Sequence, residues 1–291
     1  MKENRLAIGT VQFGLPYGIA NKAGRVSDSR ISAILKLASK AQIDTLDTAI
    51  SYGSSEASLG KENLEEFKIV TKLPFLPDNC EDVNNWVQLE VDKSLQRLGV
   101  HKLYGVLLHH PNQLNGSKGL ALYHALEQLK DNDKVNKIGI SIYSPNELSV
   151  LTKKITFDLV QAPFNLIDQR MFKSGWLKRL KDDNVEIHAR SVFLQGLLLL
   201  KESEIPSSFY PWRSLMRKWH DWLLTNNISA VKACLSYLLS HKEIDRVIVG
   251  VQNEMQLEEI LGNINGQKIT DFPNLYCEDE ELINPMYWKK E

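Results

Sequence analysis

Short runs of apolar and β-branched residues alternate along this chain with longer segments of helical periodicity. Eight runs have the length of buried strands: 6–8, 45–48, 68–72, 103–109, 137–141, 159–161, 185–189 and 246–250. Their starts are spaced by roughly 34 residues on average, close to the ~31 expected for eight βα units in a barrel of about 250 residues. Strands that alternate with helices indicate a parallel sheet. We therefore predict an α/β fold, a (β/α)8 TIM barrel that forms a single domain over residues 1–291.

The segments between these runs carry helix signals. Apolar residues form one stripe from Val83 to Leu98, and Asp28 is placed to cap a helix that begins near Ile31. Pro145 follows Ser144 at a favourable first helical position, and a last helix is predicted over 254–261. Each of these segments is long enough to return the chain to the start of the next strand.

No Gly/Ser-rich linker or change in composition divides the chain, which favours one domain. The segment at about 197–222 is too long for a simple loop, and its prolines and aromatics predict an insertion over the barrel mouth. Its aromatic side chains either pack together or form the wall of a pocket. A C-terminal tail follows from about residue 270. A doubly wound sheet is the alternative, but no Gly-x-Gly-x-x-Gly follows any strand.

Composition narrows the class of function. The chain has 35 basic and 36 acidic side chains, a net charge of -1, so it lacks the basic excess typical of nucleic-acid binders. No apolar run approaches the ~20 residues of a membrane helix. Three cysteines without close spacing, and an N-terminus without a signal-peptide core, predict a reduced, cytoplasmic protein. Metal-ligand motifs are absent from the sequence, and a small-molecule substrate is expected.

Four reactive side chains lie at or just after the ends of the second, third and fourth predicted strands. Asp47 ends the second strand with Tyr52 in its loop, Lys72 ends the third, and His109 ends the fourth. In a parallel barrel these ends meet at one face. We expect Lys72 to lower the pKa of Tyr52, which is ordinarily near 10, and Asp47 to hold Lys72 in place. Because none of the four supplies electrons, proton transfer coupled to hydride transfer from a bound cofactor is expected.

These residues lie in segments that resemble the aldo-keto reductase family. Residues 47–60, DTAISYGSSEASLG, resemble its signature, in which Asp and Tyr stand five apart before Gly-x-x-Glu-x-x-Leu-Gly. Residues 70–72 and 107–111 are similar to its lysine and His-x-Pro segments, so the resemblance selects His109 rather than His110 as its histidine. The resemblance implies an eight-stranded barrel that interconverts a carbonyl (aldehyde, ketone or sugar) and its alcohol, with Tyr52 as general acid/base.

The resemblance also implies a cofactor site in the second half of the chain. Ser141 and Gln161 match residues that hold the nicotinamide carboxamide, and Arg190 stands where many members stack a tyrosine on the nicotinamide. The pyrophosphate and adenosine segments of the family correspond here to Ser191, Leu194, Gln195, Gly250, Gln252, Gln256 and Glu259. NADP is the cofactor that the family usually binds. NAD stays open, because neutral Gln252 stands where many members place a cation against the 2′-phosphate.

Two other functions are compatible with the same residues. Proteins of this fold also serve as cofactor-binding regulatory subunits with little catalysis. A cofactor-independent isomerase or aldolase would use Lys72 as a Schiff-base amine. The oligomeric state and the substrate are not determined by these patterns.

Overall fold

The computed structural model describes residues 4–153, 155–264 and 269–288, and its centre is a closed parallel barrel with the strands in chain order. The strands are β1 (Leu6–Gly9), β2 (Thr45–Asp47), β3 (Lys68–Leu73), β4 (Leu103–Leu108), β5 (Val135–Ser141), β6 (Leu159–Pro163), β7 (Glu186–Arg190) and β8 (Arg246–Gly250). Pairing between β1 and β8 closes the cylinder, with Gly9 opposite Gly250. The predicted single-domain (β/α)8 barrel is thus the observed fold.

Helices cover the outside of the barrel and connect its strands. They are α1 (Val11–Gly14), α2 (Asp28–Lys40), α3 (Ser55–Leu59), α4 (Val83–Leu98), α5 (Gly119–Asp131), α6 (Pro145–Leu151), α7 (Arg170–Lys173), α8 (Trp176–Asp182), α9 (Arg213–Asn226), α10 (Ala230–Ser240), α11 (Glu254–Ile264) and α12 (Glu280–Ile283). Short 3₁₀ helices add Pro111–Asn115, Leu194–Leu199, Glu202–Glu204, Ser207–Trp212 and Pro285–Tyr287.

Local signals explain where several helices begin and end. The Asp82 carboxylate accepts a hydrogen bond from the backbone N–H of Asn85 at the start of α4, and Gly99 in the left-handed region (φ 67°) ends it. Pro145 opens α6 behind a capping box formed by Ser144 and Glu147. The prediction that Asp28 caps α2 is wrong. Asp28 lies inside the first turn and pairs with Lys61 at 2.7 Å, and Ser27 occupies the cap position.

Side chains inside the barrel form layers of different character. A small apolar cluster of Val70, Leu107 and Leu159, all fully buried, fills the middle. Towards the start of the strands, the barrel floor holds a polar cluster around the Glu186 carboxylate. That carboxylate accepts hydrogen bonds from His188 and from the Tyr104 hydroxyl, each at 2.7 Å, and it pairs with Lys137. The opposite end, where the strands finish, is the mouth.

The insertion and the tail pack against each other beside the mouth. The Trp212 indole donates to the Asp279 carboxylate at 2.9 Å, and Phe209 meets Trp288 edge to face at 4.8 Å. Trp219 stacks on Trp222, which in turn stacks on Phe272 of the tail. These aromatic side chains pack against one another, and none of them is among the described residues that line the cavity at the mouth. No helix in the described ranges has the length and apolar character to cross a membrane.

Candidate active site

A cavity of about 420 Å³ opens at the mouth, where the carboxyl ends of the strands meet. It runs from the loop after β2 across β5, β6 and β7 to the loop after β8. Its lining includes Asp47, Tyr52, His109, Ser141, Gln161, Arg190, Ser191, Gln195, Gly250, Gln252, Gln256 and Glu259. Of the residues singled out in the sequence, Lys72 and Leu194 are the two that do not line it. Lys72 lies directly beneath, and the Leu194 side chain is buried in the apolar core.

An ion pair forms the base of the cavity. Lys72 Nζ, which has no exposed surface, donates to Asp47 Oδ1 at 2.7 Å and to the backbone carbonyl of Thr48 at 2.8 Å. Burial lowers the pKa of Lys72 below its usual value, and the adjacent Asp47 carboxylate opposes that shift. The two charges therefore neutralise each other at the base of the cavity.

Tyr52 lies above this pair. Lys72 Nζ is 5.0 Å from the centre of the Tyr52 ring and is not hydrogen-bonded to its hydroxyl. Burial raises the pKa of Tyr52, the Asp47 carboxylate raises it further, and the Arg190 guanidinium acts in the opposite direction. The prediction that Lys72 lowers the pKa of Tyr52 is wrong for this structure. Burial is the largest cause of the shift in that pKa, and the Lys72 ammonium is paired with Asp47.

His109 borders Tyr52 with its ring edge, at a centroid distance of 5.8 Å and an interplanar angle of 78°. Its Nδ1 is hydrogen-bonded to Ser51 Oγ at 3.1 Å. Burial lowers the pKa of His109 to about 3, with the nearby charges of Lys72 and Arg190 acting in the same direction. The imidazole is thus neutral at physiological pH. The neighbouring His110 is exposed and meets Phe75 edge to face outside the cavity.

Two polar side chains link the far strands to the ion pair. Ser141 Oγ donates to Gln161 Oε1 at 3.1 Å, and Gln161 Nε2 donates to Asp47 Oδ1 at 2.6 Å. All three residues are almost fully buried. Asp47 therefore accepts from both Lys72 and Gln161, which fixes its carboxylate from two sides.

The loop after β7 forms one wall of the cavity. Arg190 places its guanidinium carbon 4.5 Å from the centre of the Tyr143 ring. Ser191, Leu194 and Gln195 have positive φ angles of 60°, 46° and 52°, which turn this loop sharply. The Gln195 carbonyl accepts from the Ile19 N–H at 3.2 Å, so the loops after β1 and β7 meet at the cavity.

The other end of the cavity lies at β8 and α11. Gln252, Gln256 and exposed Glu259 line it, and no lysine or arginine is among the described residues that line this end. Gln12 borders Gly250, and its Oε1 atom is buried without a hydrogen-bond partner. A buried carbonyl oxygen without a donor fits a ligand that supplies an N–H or O–H group there.

The search of the sequence for polar residues at the ends of the predicted strands missed several residues that line the cavity, among them Thr10, Gln12, Tyr17 and Tyr143. They follow β1 and β5. A reading extended to the first residues after each of the eight strands would have included three of them, since Thr10, Gln12 and Tyr143 lie within three residues of a strand end. Ser51 lacks any such signal, because its role depends on the orientation of the His109 ring.

Comparison with known proteins places the chain in a family. The sequence model described as the aldo/keto reductase family matches residues 5–272. The chain is 26% identical to an L-glyceraldehyde 3-phosphate reductase of Escherichia coli O157:H7 over 291 aligned positions, 86% of this chain and 81% of the relative. It is 25% identical to an uncharacterized oxidoreductase of Bacillus subtilis, over only half of each chain.

Solved structures share the fold. An aldo-keto reductase from Bacillus halodurans, in its holo form, superposes with a TM-score of 0.73 at 19% identity, over 91% of this chain and 88% of that chain. A glycerol dehydrogenase from Gluconobacter oxydans gives a TM-score of 0.69 at 19% identity, over 92% and 88%. With the family match over nearly the whole chain, this protein belongs to the aldo/keto reductase family of NAD(P)-dependent oxidoreductases, which interconvert carbonyl compounds and alcohols.

Proposed function

We propose that this protein reduces a small-molecule carbonyl compound, an aldehyde, ketone or sugar, to its alcohol, with Tyr52 as the proton donor. One arrangement carries the proposal: the Lys72–Asp47 pair lies beneath Tyr52, and neutral His109 lies edge-on beside it, all at one cavity. The phenol hydroxyl is thereby held where a substrate oxygen can meet both Tyr52 and His109.

The protonation states favour reduction. Because the pKa of Tyr52 is raised, the phenol carries its proton at neutral pH and is ready to donate it to the carbonyl oxygen. Alcohol oxidation needs the phenolate, which burial disfavours. Neutral His109 offers one N–H to the substrate oxygen, and Lys72 and Asp47 stabilise the position of the tyrosine from below.

NAD(P)H, when bound, supplies the hydride. The residues proposed to hold it are Ser141 and Gln161 at the carboxamide, and Ser191, Leu194, Gln195, Gly250, Gln252, Gln256 and Glu259 along the rest of the dinucleotide. The unpartnered Oε1 of Gln12 in the cavity wall fits such a polar ligand. Leu194 would contribute through its backbone, since its side chain points into the core.

We propose that the chain accepts NADH as well as NADPH. The 2′-phosphate of NADPH is a dianion that benefits from a fixed cation. The end of the cavity at Gln252, Gln256 and Glu259 lacks one among its lining residues, and Glu259 would repel the phosphate. NADP is the cofactor implied by the family resemblance, so a comparison of both dinucleotides is the direct test.

The Schiff-base alternative is opposed by the position of Lys72. An amine that attacks a substrate carbonyl must reach the cavity, whereas Lys72 has no exposed surface and donates to Asp47 and Thr48. A regulatory protein that only binds the cofactor is distinguished by the experiment below.

The first test is substitution of the proposed proton donor. Tyr52→Phe removes the hydroxyl and keeps the ring, so we expect kcat to fall by about 10²–10⁴-fold with NADPH or NADH and a panel of aldehydes and sugars. Cofactor affinity, measured by the quenching of protein fluorescence, should stay within a few-fold.

Tyr210→Phe is the matched control, because Tyr210 is 60% exposed and lies outside the cavity. Full turnover in the Tyr52→Phe variant would remove Tyr52 from the mechanism. Cofactor binding by the wild type without turnover of any carbonyl would instead identify a regulatory protein.

A further inference from the structure

Arg190 is a cation without an anionic partner in the wall of the cavity. Its guanidinium donates to the Ile142 carbonyl at 3.0 Å and to Ser191 Oγ at 3.2 Å, and its flat face lies against the Tyr143 ring. In the described part of the chain, no carboxylate forms a salt bridge with it. Arg190 is half-buried, and a guanidinium at the wall of a cavity with no carboxylate beside it is free to pair with an anionic ligand.

The field of Arg190 reaches the reacting groups. Its positive charge is among the causes that lower the pKa values of Lys72 and His109 and that oppose the rise in the pKa of Tyr52. The Lys72 and Asp47 charges cancel, and His109 is neutral. The reacting end of the cavity therefore keeps one net positive charge, which belongs to Arg190.

The chemistry of a guanidinium defines the ligand that completes the site. It presents five N–H donors in a planar fork, and the structure uses two of its nitrogens on neutral acceptors. A carboxylate or phosphate matches the remaining donors in geometry and in charge. Tyr17 adds a hydroxyl at the same cavity, and burial raises its pKa to about 12, so it also offers a proton to an oxyanion.

We propose that the substrate carries an oxyanion, a carboxylate or a phosphate, near its carbonyl group, and that Arg190 binds this anion. The inference rests on the carbonyl reduction proposed above and specifies the substrate class. It also assigns Arg190 to substrate selection, whereas the family resemblance implies a cofactor contact.

Matched pairs of substrates test the assignment. Glyceraldehyde and glyceraldehyde 3-phosphate form one pair, and benzaldehyde and 4-carboxybenzaldehyde form another, so that phosphate and carboxylate are tested separately. In the wild type, kcat/KM should be at least about tenfold higher for an anionic member than for its neutral partner. Arg190→Gln should abolish this preference, mainly through KM, and Arg190→Lys should keep part of it as a point charge.

Arg179→Gln is the matched control. Arg179 lies 4.5 Å from the centre of the Trp176 ring, the same distance that separates Arg190 from Tyr143, but it is exposed and does not line the cavity. This variant should keep the anion preference.

Three results would contradict the proposal or what it rests on. Equal reduction of neutral and anionic members by the wild type overturns the anion site and leaves carbonyl reduction intact. If Arg190→Gln lowers kcat/KM equally for both members of a pair and weakens NADPH binding by fluorescence titration, Arg190 serves the cofactor instead. Failure of the wild type to reduce any member of either pair, while NADPH still binds, contradicts the proposed function itself.

Discussion

The hydrogen bond between Ser51 and His109 links the tautomer of the imidazole to the orientation of the serine hydroxyl, which can donate or accept. His109 is neutral, so one nitrogen donates and the other accepts. If the Ser51 hydroxyl donates to Nδ1 at 3.1 Å, the proton of the ring is on Nε2. We infer that Ser51 selects the tautomer that offers an N–H to the substrate oxygen, and it is thus a positioning residue.

Removal of that hydroxyl should reduce activity without unfolding the protein. We expect Ser51→Ala to lower kcat/KM about tenfold, because a lost hydrogen bond of this kind is worth about 1 kcal/mol or more, and Ser51→Thr to restore part of it. The ¹⁵N chemical shifts of the His109 ring should move toward a tautomer mixture in the Ala variant and return in the Thr variant.

Ser29→Ala, at an exposed position on α2, serves as the control for this series. Unchanged ¹⁵N shifts in Ser51→Ala would show that another group fixes the tautomer. A role in folding alone would lower the melting temperature and leave these shifts in place.

For single residues, the sequence predicted where the reactive side chains lie better than it predicted the shift in the pKa of Tyr52. Asp47, Tyr52 and His109 reach one cavity, with Lys72 beneath, because the carboxyl ends of parallel strands converge. The direction of the pKa shift at Tyr52 was not accessible, since it depends on how deeply the phenol is buried and on the distance to each charge.

At the scale of secondary-structure elements, α1 packs closely against the loop that carries Tyr52. A Cβ added at Gly14, the last residue of α1, would lie 1.8 Å from the Tyr52 carbonyl oxygen and 2.6 Å from the Ser55 nitrogen. Glycine is therefore required for the approach of two backbones, and the position of Tyr52 depends on it.

Gly14→Ala should displace the loop and lower kcat/KM by about a hundredfold, the typical effect of a 1 Å misplacement of a reacting group. Gly262→Ala is the control, because a Cβ at Gly262, a residue of α11, meets nothing within 4 Å. The measurement is carbonyl reduction below the melting temperature of each variant. Full activity in Gly14→Ala would mean that the loop accommodates the methyl group.

The boundaries of elements were predicted to within a few residues. The helix over Val83–Leu98 and the strand at Arg246–Gly250 have the predicted bounds, while β5 begins at Val135, two residues earlier than expected. Buried Val135 is followed by exposed Asn136 and half-buried Lys137, so the start of the strand lacks a continuous apolar run. Capping is less predictable, as Asp28 illustrates, because Ser27 and Asp28 are both favourable cap residues.

The molecule as a whole carries two separate polar networks along the barrel. At the floor, burial by itself raises the pKa of Glu186, but hydrogen bonds from His188 and Lys137 outweigh it and hold that pKa well below its usual value. A carboxylate with a depressed pKa stabilises the folded state above its unfolded pKa and loses that contribution as the pH falls.

Glu186→Gln should therefore reduce the free energy of unfolding at pH 7 by about 2 kcal/mol, since Tyr104, His188 and half-buried Lys137 lose their charged acceptor. The difference from the wild type should shrink as the pH falls below about 4, where the carboxylate of the unfolded chain gains its proton while the native carboxylate stays ionised. Urea denaturation at several pH values measures it. Because Glu186 lies away from the mouth, kcat/KM should not change; a parallel loss of activity would contradict the separation of the networks.

In the proposed mechanism, the interior of the barrel limits how Tyr52 is recharged after each turnover, and Val70, Leu107 and Leu159 form a buried apolar cluster there. No hydrogen bond joins Glu186 or His188 to Ser141, Gln161 or Asp47, so the floor offers no relay for protons. If Tyr52 is the proton donor, it regains its proton from water on the mouth side, where Ser51 is exposed beside His109. The proposed mechanism thus brings the hydride donor, the substrate and the replacement proton through the same opening of the barrel.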